Sequence, residues 1–201
     1  MQIIFLDGKI YTPGGRIKAC MSTQKRVLQE FGTVEENSLR LETEKAEQII
    51  DALNTDLAAG YTLYHQLKKH HWNVEGAEFR DLHLFLGEAA EHAEEATDEI
   101  AERAQALGGT PVASMENLAE HSPVEAEDED VYDIRTSLEN DLEMYGDIIE
   151  SLRDHVELAE NLGDHATAEL LREILVQTEE DAHHIEHYLE DDTLVTESAL
   201  R

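Results

Sequence analysis

Residues 70–109, HHWNVEGAEFRDLHLFLGEAAEHAEEATDEIAERAQALGG, carry side chains of the types that bind divalent metal ions, and these are not spread evenly. On a helix turning about 100° per residue, His83, Gly87, Glu91, Glu94, Asp98 and Glu102 fall within about 100° of one another. All but Gly87 carry a nitrogen or oxygen ligand. One imidazole with several carboxylates suits a borderline ion such as Fe²⁺, with zinc as the runner-up, and so few protein groups leave coordination positions open for an oxidant. The same spacing also describes an acidic solvent-facing helix on which His71 and His83 are ordinary polar residues.

A second cluster lies near the end of the chain. His183 and His187 are one helical turn apart among Glu180, Asp181, Glu186 and Glu190. They fit a route that guides iron toward a symmetry axis, but an exposed polar helix end is the favoured reading.

Long helices must position these groups. Apolar residues recur at helical spacing from about residue 40 (Leu41, Ile49, Ile50, Leu53, Leu57, Tyr61, Tyr64, Leu67), which predicts a first helix ending near His71 to Asn73. A second runs from about Asp81 to Leu107 and is stopped by Gly108-Gly109 before Thr-Pro. Residues 110–130 form a long connection in which SMENLAEH predicts a short extra helix. A third helix is expected from Val131 to about Val156, ending at Asn161-Leu-Gly-Asp164, and a fourth from about 165 to 190. Tight loops in each half and one long connection between halves predict an all-α, ferritin-like four-helix bundle with a short extra helix between helices 2 and 3.

Composition narrows the function classes. Asp and Glu number 46 against 15 Lys and Arg, a formal charge of −31, which opposes binding to nucleic acid or to an anionic membrane surface. Such acidity suits a solvated surface in a very salty cytoplasm, with collection of cations superimposed on it. Cys20 is the single cysteine, so intrachain disulfides and thiolate metal sites are excluded and a reducing cytoplasm fits. No apolar run approaches the roughly 18 residues of a membrane span, and no signal-peptide pattern opens the chain.

Charge also divides the chain. Residues 1–20 hold three basic side chains and one acid, against 12 basic and 45 acidic from Met21 onward. The expected organisation is an N-terminal extension over 1–20, not native to the protein, a tail over 21–39, one domain over 40–190 and a C-terminal tail over 191–201. The alternative for 1–20 is a genuine extension in which QIIFL and a Pro-Gly-Gly turn form a short hairpin.

The motif His71-Trp72-Asn73-Val74-x-Gly76-x-x-Phe79-x-x-Leu82-His83, followed by Asp98-x-x-Ala101-Glu102-Arg103 and Leu107-Gly108-Gly109, resembles the signature of the Dps (DNA protection during starvation) family of the ferritin-like superfamily. The resemblance implies a ferroxidase that oxidises Fe²⁺, with hydrogen peroxide favoured over oxygen, and stores Fe³⁺ inside a hollow homo-oligomer, a dodecamer in that family, so protecting DNA from oxidative damage. It implies sites between two subunits, with His71 and His83 from one and Asp98 and Glu102 from the other. It places Trp72 beside the iron, as an oxidisable ring or as interface packing, and Glu91, Glu94 and Glu95 on the cavity side as mineral-nucleating carboxylates. One departure stands out: the family commonly has an acid where this chain has Gly87, which implies weaker or water-completed coordination from that side, or recruitment of Glu75 or Glu88 instead.

Three other readings compete. A ferritin with its di-iron site inside one bundle needs Glu-x-x-His on two helices, and only Glu180-Asp181-Ala182-His183 fits. DNA compaction needs a basic tail, and residues 21–40 offer only Lys25, Arg26 and Arg40, so direct DNA binding is not expected. A non-catalytic acidic oligomerisation module is the third.

Overall fold

The computed structural model describes residues 26–190 and two short strands ahead of them. The chain divides into two units, residues 1–30 and 31–201.

In the first unit β1 (Ile4–Leu6) pairs antiparallel with β2 (Lys9–Tyr11), with Leu6 opposite Lys9. Only Asp7 and Gly8 separate the strands, and Asp-Gly is a preferred two-residue hairpin sequence. An antiparallel strand pair is therefore present; the Pro13-Gly14-Gly15 turn lies outside the described residues.

The second unit is an all-α bundle of α1 (Thr43–Asn73), α2 (Phe79–Ala106), α3 (Met115–His121), α4 (Ile134–Leu162) and α5 (His165–Leu189). Helix α1 packs along α2 and α4 along α5, and the two pairs meet mainly through α1 and α4. The connection between α2 and α4 carries α3, which leans on α1, as the sequence predicts.

Capping chemistry sets the ends where periodicity misplaced them. Val131 was expected inside the third helix, yet it is exposed and lies ahead of α4, because Asp133 caps that helix by accepting a hydrogen bond from the Thr136 N–H at 3.1 Å. Leu41 likewise precedes α1; the Asn37 side chain holds its backbone N–H at 3.1 Å and its carbonyl at 3.0 Å. Between α4 and α5 the chain turns in two residues. Gly163 takes the left-handed conformation (φ 86°) that ends α4, and Asp164 caps α5 through the Thr167 N–H.

The core is aliphatic, built on Leu53, Leu57, Leu67, Leu82, Leu86, Leu152, Leu171 and Ile185, all almost fully buried. Arg103 ties the far end of α2 to the α4–α5 turn. Its guanidinium grips both Asp164 oxygens at 2.7 and 2.9 Å and donates to Thr167 Oγ1 at 2.7 Å. No helix among the described residues is long and apolar enough to cross a membrane.

Candidate metal centre

The last turn of α1 presents three consecutive side chains in three directions, as a 100° step per residue requires. His70 is buried in the bundle, His71 turns toward α2, and Trp72 is 69% exposed.

His71 and His83 hold each other in a reciprocal clamp. His71 Nδ1 lies 2.6 Å from the His83 carbonyl oxygen, and His83 Nδ1 lies 2.9 Å from the His71 carbonyl oxygen. A carbonyl only accepts, so each Nδ1 is the donor, and in the neutral ring Nε2 is then the nitrogen that holds a lone pair. The rings stack with centroids 3.8 Å apart and planes 19° apart, and Phe79 closes over His83 at 5.1 Å. Gly87 lies beside the pair, where an added Cβ would stand 3.1 Å from Cε1 and Nδ1 of His71.

Asp98 and Glu102 are exposed on the same helix, fifteen and nineteen residues beyond His83. At 1.5 Å rise per residue that is about 22 and 28 Å, so the two halves of the predicted ligand set cannot reach one ion within a single chain. Accordingly, no group of three or more His, Cys, Asp or Glu among the described residues converges on a metal position. Glu91, Glu94, Glu95 and Asp98 do gather with Tyr61 around an open depression of about 500 Å³.

Glu75 and Glu88, the substitutes named for a ligand at 87, are both exposed. Glu75 lines a cavity of about 450 Å³ with Lys69, His70 and Ile134, and Glu88 lines another with Asp81, His184 and His187. Neither cavity includes His71 or His83. At the end of α5, His183 and His187 bring their Nε2 atoms to 3.0 Å, and His183 Nδ1 meets Glu186 at 3.1 Å on the exposed surface.

Sequence reasoning missed the polar network beneath the clamp. His70 Nδ1 lies 2.8 Å from Asp141 Oδ2 and Nε2 3.0 Å from Glu127 Oε2, so each ring nitrogen faces a carboxylate acceptor, an arrangement that favours the imidazolium. Gln66 donates to Asp141 Oδ1, while Lys69 and Asn140 donate to Glu127. The network latches the connection from α3 to the end of α1 and to α4. A histidine next to His71 was its only sequence signal, and Asp141 lies seventy-one residues away.

Burial lowers the proton affinity of His70, but Asp141 and Glu127 outweigh it and the pKa is raised above the ordinary 6.5. His155 follows the same balance, its burial outweighed by Asp56 at 2.8 Å, and is also raised. Groups raised on folding contribute fully below the unfolded histidine value and lose that contribution as pH rises through the folded one. Thermal unfolding midpoints should therefore fall from pH 6 to pH 9, with a shallower slope in His155→Gln. An equal slope in that variant would contradict the assignment.

The sequence profile of the ferritin-like domain family matches residues 50–195. The DNA protection during starvation protein of Halobacterium salinarum is 70% identical over 181 residues, covering 90% of this chain and 100% of that one. The crystal structure of an archaeal Dps homologue from Halobacterium salinarum superposes with a TM-score of 0.84 at 69% identity, covering 89% of this chain and 99% of the other. A Dps protein from Vibrio cholerae, described as a member of a broad superfamily of ferritin-like diiron-carboxylate proteins, gives 0.74 at 26% identity over 79% and 99% of the two chains.

Proposed function

This chain belongs to the ferritin-like family as a Dps-type member, and on that premise we propose that it is a ferroxidase and iron store, taking Fe²⁺ as substrate at sites shared by two subunits. The observation that carries the reading is the division of ligands along α2: a preset pair of imidazoles at one end and two exposed carboxylates at the other. A two-fold axis crossing α2 near residues 90 and 91 lays two copies antiparallel and sets His83 of each opposite Asp98 of the other, making two equivalent sites. Neither half completes a ligand set alone.

In that assembly His71 and His83 offer neutral Nε2 atoms, and Asp98 and Glu102 offer charge-neutralising oxygens. Two ferrous ions each give up one electron, and one hydrogen peroxide takes both with two protons and leaves as two waters. Because peroxide is consumed pairwise, no hydroxyl radical escapes toward DNA. The harder Fe³⁺ prefers oxygen ligands and moves to Glu91, Glu94 and Glu95 beside Asp98, where mineral begins. Exposed Trp72, next to His71, is buried by the partner subunit and offers an oxidisable ring when an iron is missing. His183 and His187 stay an exposed polar helix end, the favoured reading over an iron route, and a closed homo-oligomer, a dodecamer, holds the product.

DNA protection then works through chemistry and not through coating, since a chain of charge −31 is repelled by phosphates. Anaerobically loaded Fe²⁺ mixed with peroxide or with oxygen tests the proposal. The protein should oxidise iron faster than buffer, faster with peroxide than with oxygen, and yield a soluble ferric core. Rates equal to buffer would leave only a non-catalytic acidic oligomer.

A further inference from the structure

Helices α2 and α5 are the helical neighbours that touch least, and a cavity of about 260 Å³ opens between them. Tyr145 of α4 lines it from the bundle interior. That side chain is 1% exposed, and its hydroxyl is the one buried side-chain polar atom among the described residues without a hydrogen-bond partner. Burial, with Asp181 and Asp141 nearby, holds the phenol well above its ordinary range, so the hydroxyl keeps its proton. A buried hydroxyl left unpaired is costly, and a polar occupant of the cavity removes that cost.

The walls select the occupant. Glu95 and Glu99 of α2 and Glu173 of α5 stand exposed at the rim, none of them ion-paired among the described residues. No lysine or arginine among those residues lines the cavity, and His92 is spent on Asp181 at 3.0 Å. Three carboxylates around one space repel one another and draw a cation. They do not converge tightly enough to coordinate a bare ion. A small divalent ion that sheds its waters reluctantly does not require them to, and at about 30 Å³ per water the cavity has room for the ion with its shell.

We propose that the groove between α2 and α5 binds a hydrated divalent cation of the Mg²⁺ type, its waters bridging the Tyr145 hydroxyl to Glu95, Glu99 and Glu173. The ion ties α5 to α2 where protein contacts are sparsest. The site lies within one chain and does not rest on the ferroxidase reading.

Thermal unfolding of Tyr145→Phe tests this. In chelator, where the hydroxyl lacks its partner, the variant should unfold about 2–4 °C above the parent. With saturating MgCl2 that advantage should vanish, because only the parent gains the contact; NaCl of equal ionic strength should not erase it. Glu99→Gln with Glu173→Gln should raise the Mg²⁺ concentration for half the stabilisation about 10-fold, the low end for loss of a metal's outer partners. Glu150→Gln, exposed on α4, should leave it unchanged. In crystals soaked with MnCl2, anomalous scattering should place an ion in the groove. A Tyr145→Phe advantage equal in chelator and MgCl2, or absent from both, would overturn the proposal, leaving the hydroxyl unpaired or held by water alone. A half-saturation unmoved by the paired Glu variants, or no Mn²⁺ peak in the groove, would also overturn it and leave a solvated acidic face.

Discussion

Subunits carrying His71→Ala and subunits carrying Asp98→Ala, unfolded together and reassembled, should regain ferroxidase activity that neither variant has alone. Each substitution by itself removes one half of every shared site, and the rate should fall at least about 100-fold, the upper end of what loss of a metal's supporting partners costs. In a mixed two-fold pair, one site has both defects and the other has none. Random mixing makes half the pairs mixed, so about a quarter of all sites become intact by symmetry. Ligands drawn from one chain would give no recovery at any mixing ratio. The assay therefore reads the arrangement of subunits directly from a rate.

Asp141→Ala should destabilise the bundle by about 3–5 kcal/mol, the cost of removing one partner from a buried charge pair. Asp141 is fully buried and accepts from both Gln66 and His70, so its loss leaves the Gln66 amide and His70 Nδ1 without acceptors inside the bundle, with Glu127 as the remaining partner of the ring. Replacing His70 as well, with Leu, should recover part of the loss because one of the two orphaned donors is gone. Denaturant unfolding of the three variants measures this. A single substitution costing under about 1 kcal/mol, in the range of an exposed pair, would mean that the network is not closed.

The fold was legible because its signals are local. Apolar residues at helical spacing, Gly163 followed by Asp164, and SMENLAEH between two turns mark four long helices and one short one where they occur. The errors fell where periodicity competes with capping: Val131 continues the apolar pattern of α4, but Asp133 decides where backbone donors are first satisfied. At the site, helical spacing collected His83, Asp98 and Glu102 on one face, and the motif supplied His71. What spacing could not reveal is that His71 and His83 lock each other through main-chain carbonyls, because that depends on how α1 and α2 abut. The partnership of His70 with Asp141 and Glu127 was hidden for the same reason, its members being scattered over three elements.

The bundle is two helical hairpins that touch chiefly through α1 and α4, and His71, His83, Asp98 and Glu102 all lie on the earlier one. Contacts within a hairpin are close in sequence and form quickly, and a chain emerging from the ribosome folds its earlier part first. On the two-subunit reading, the residues that would face a sister subunit all lie on the part of the chain synthesised first. If pairing runs through that surface, neighbouring nascent chains on one messenger could pair before either is released, and assembly would then depend on how closely ribosomes follow one another.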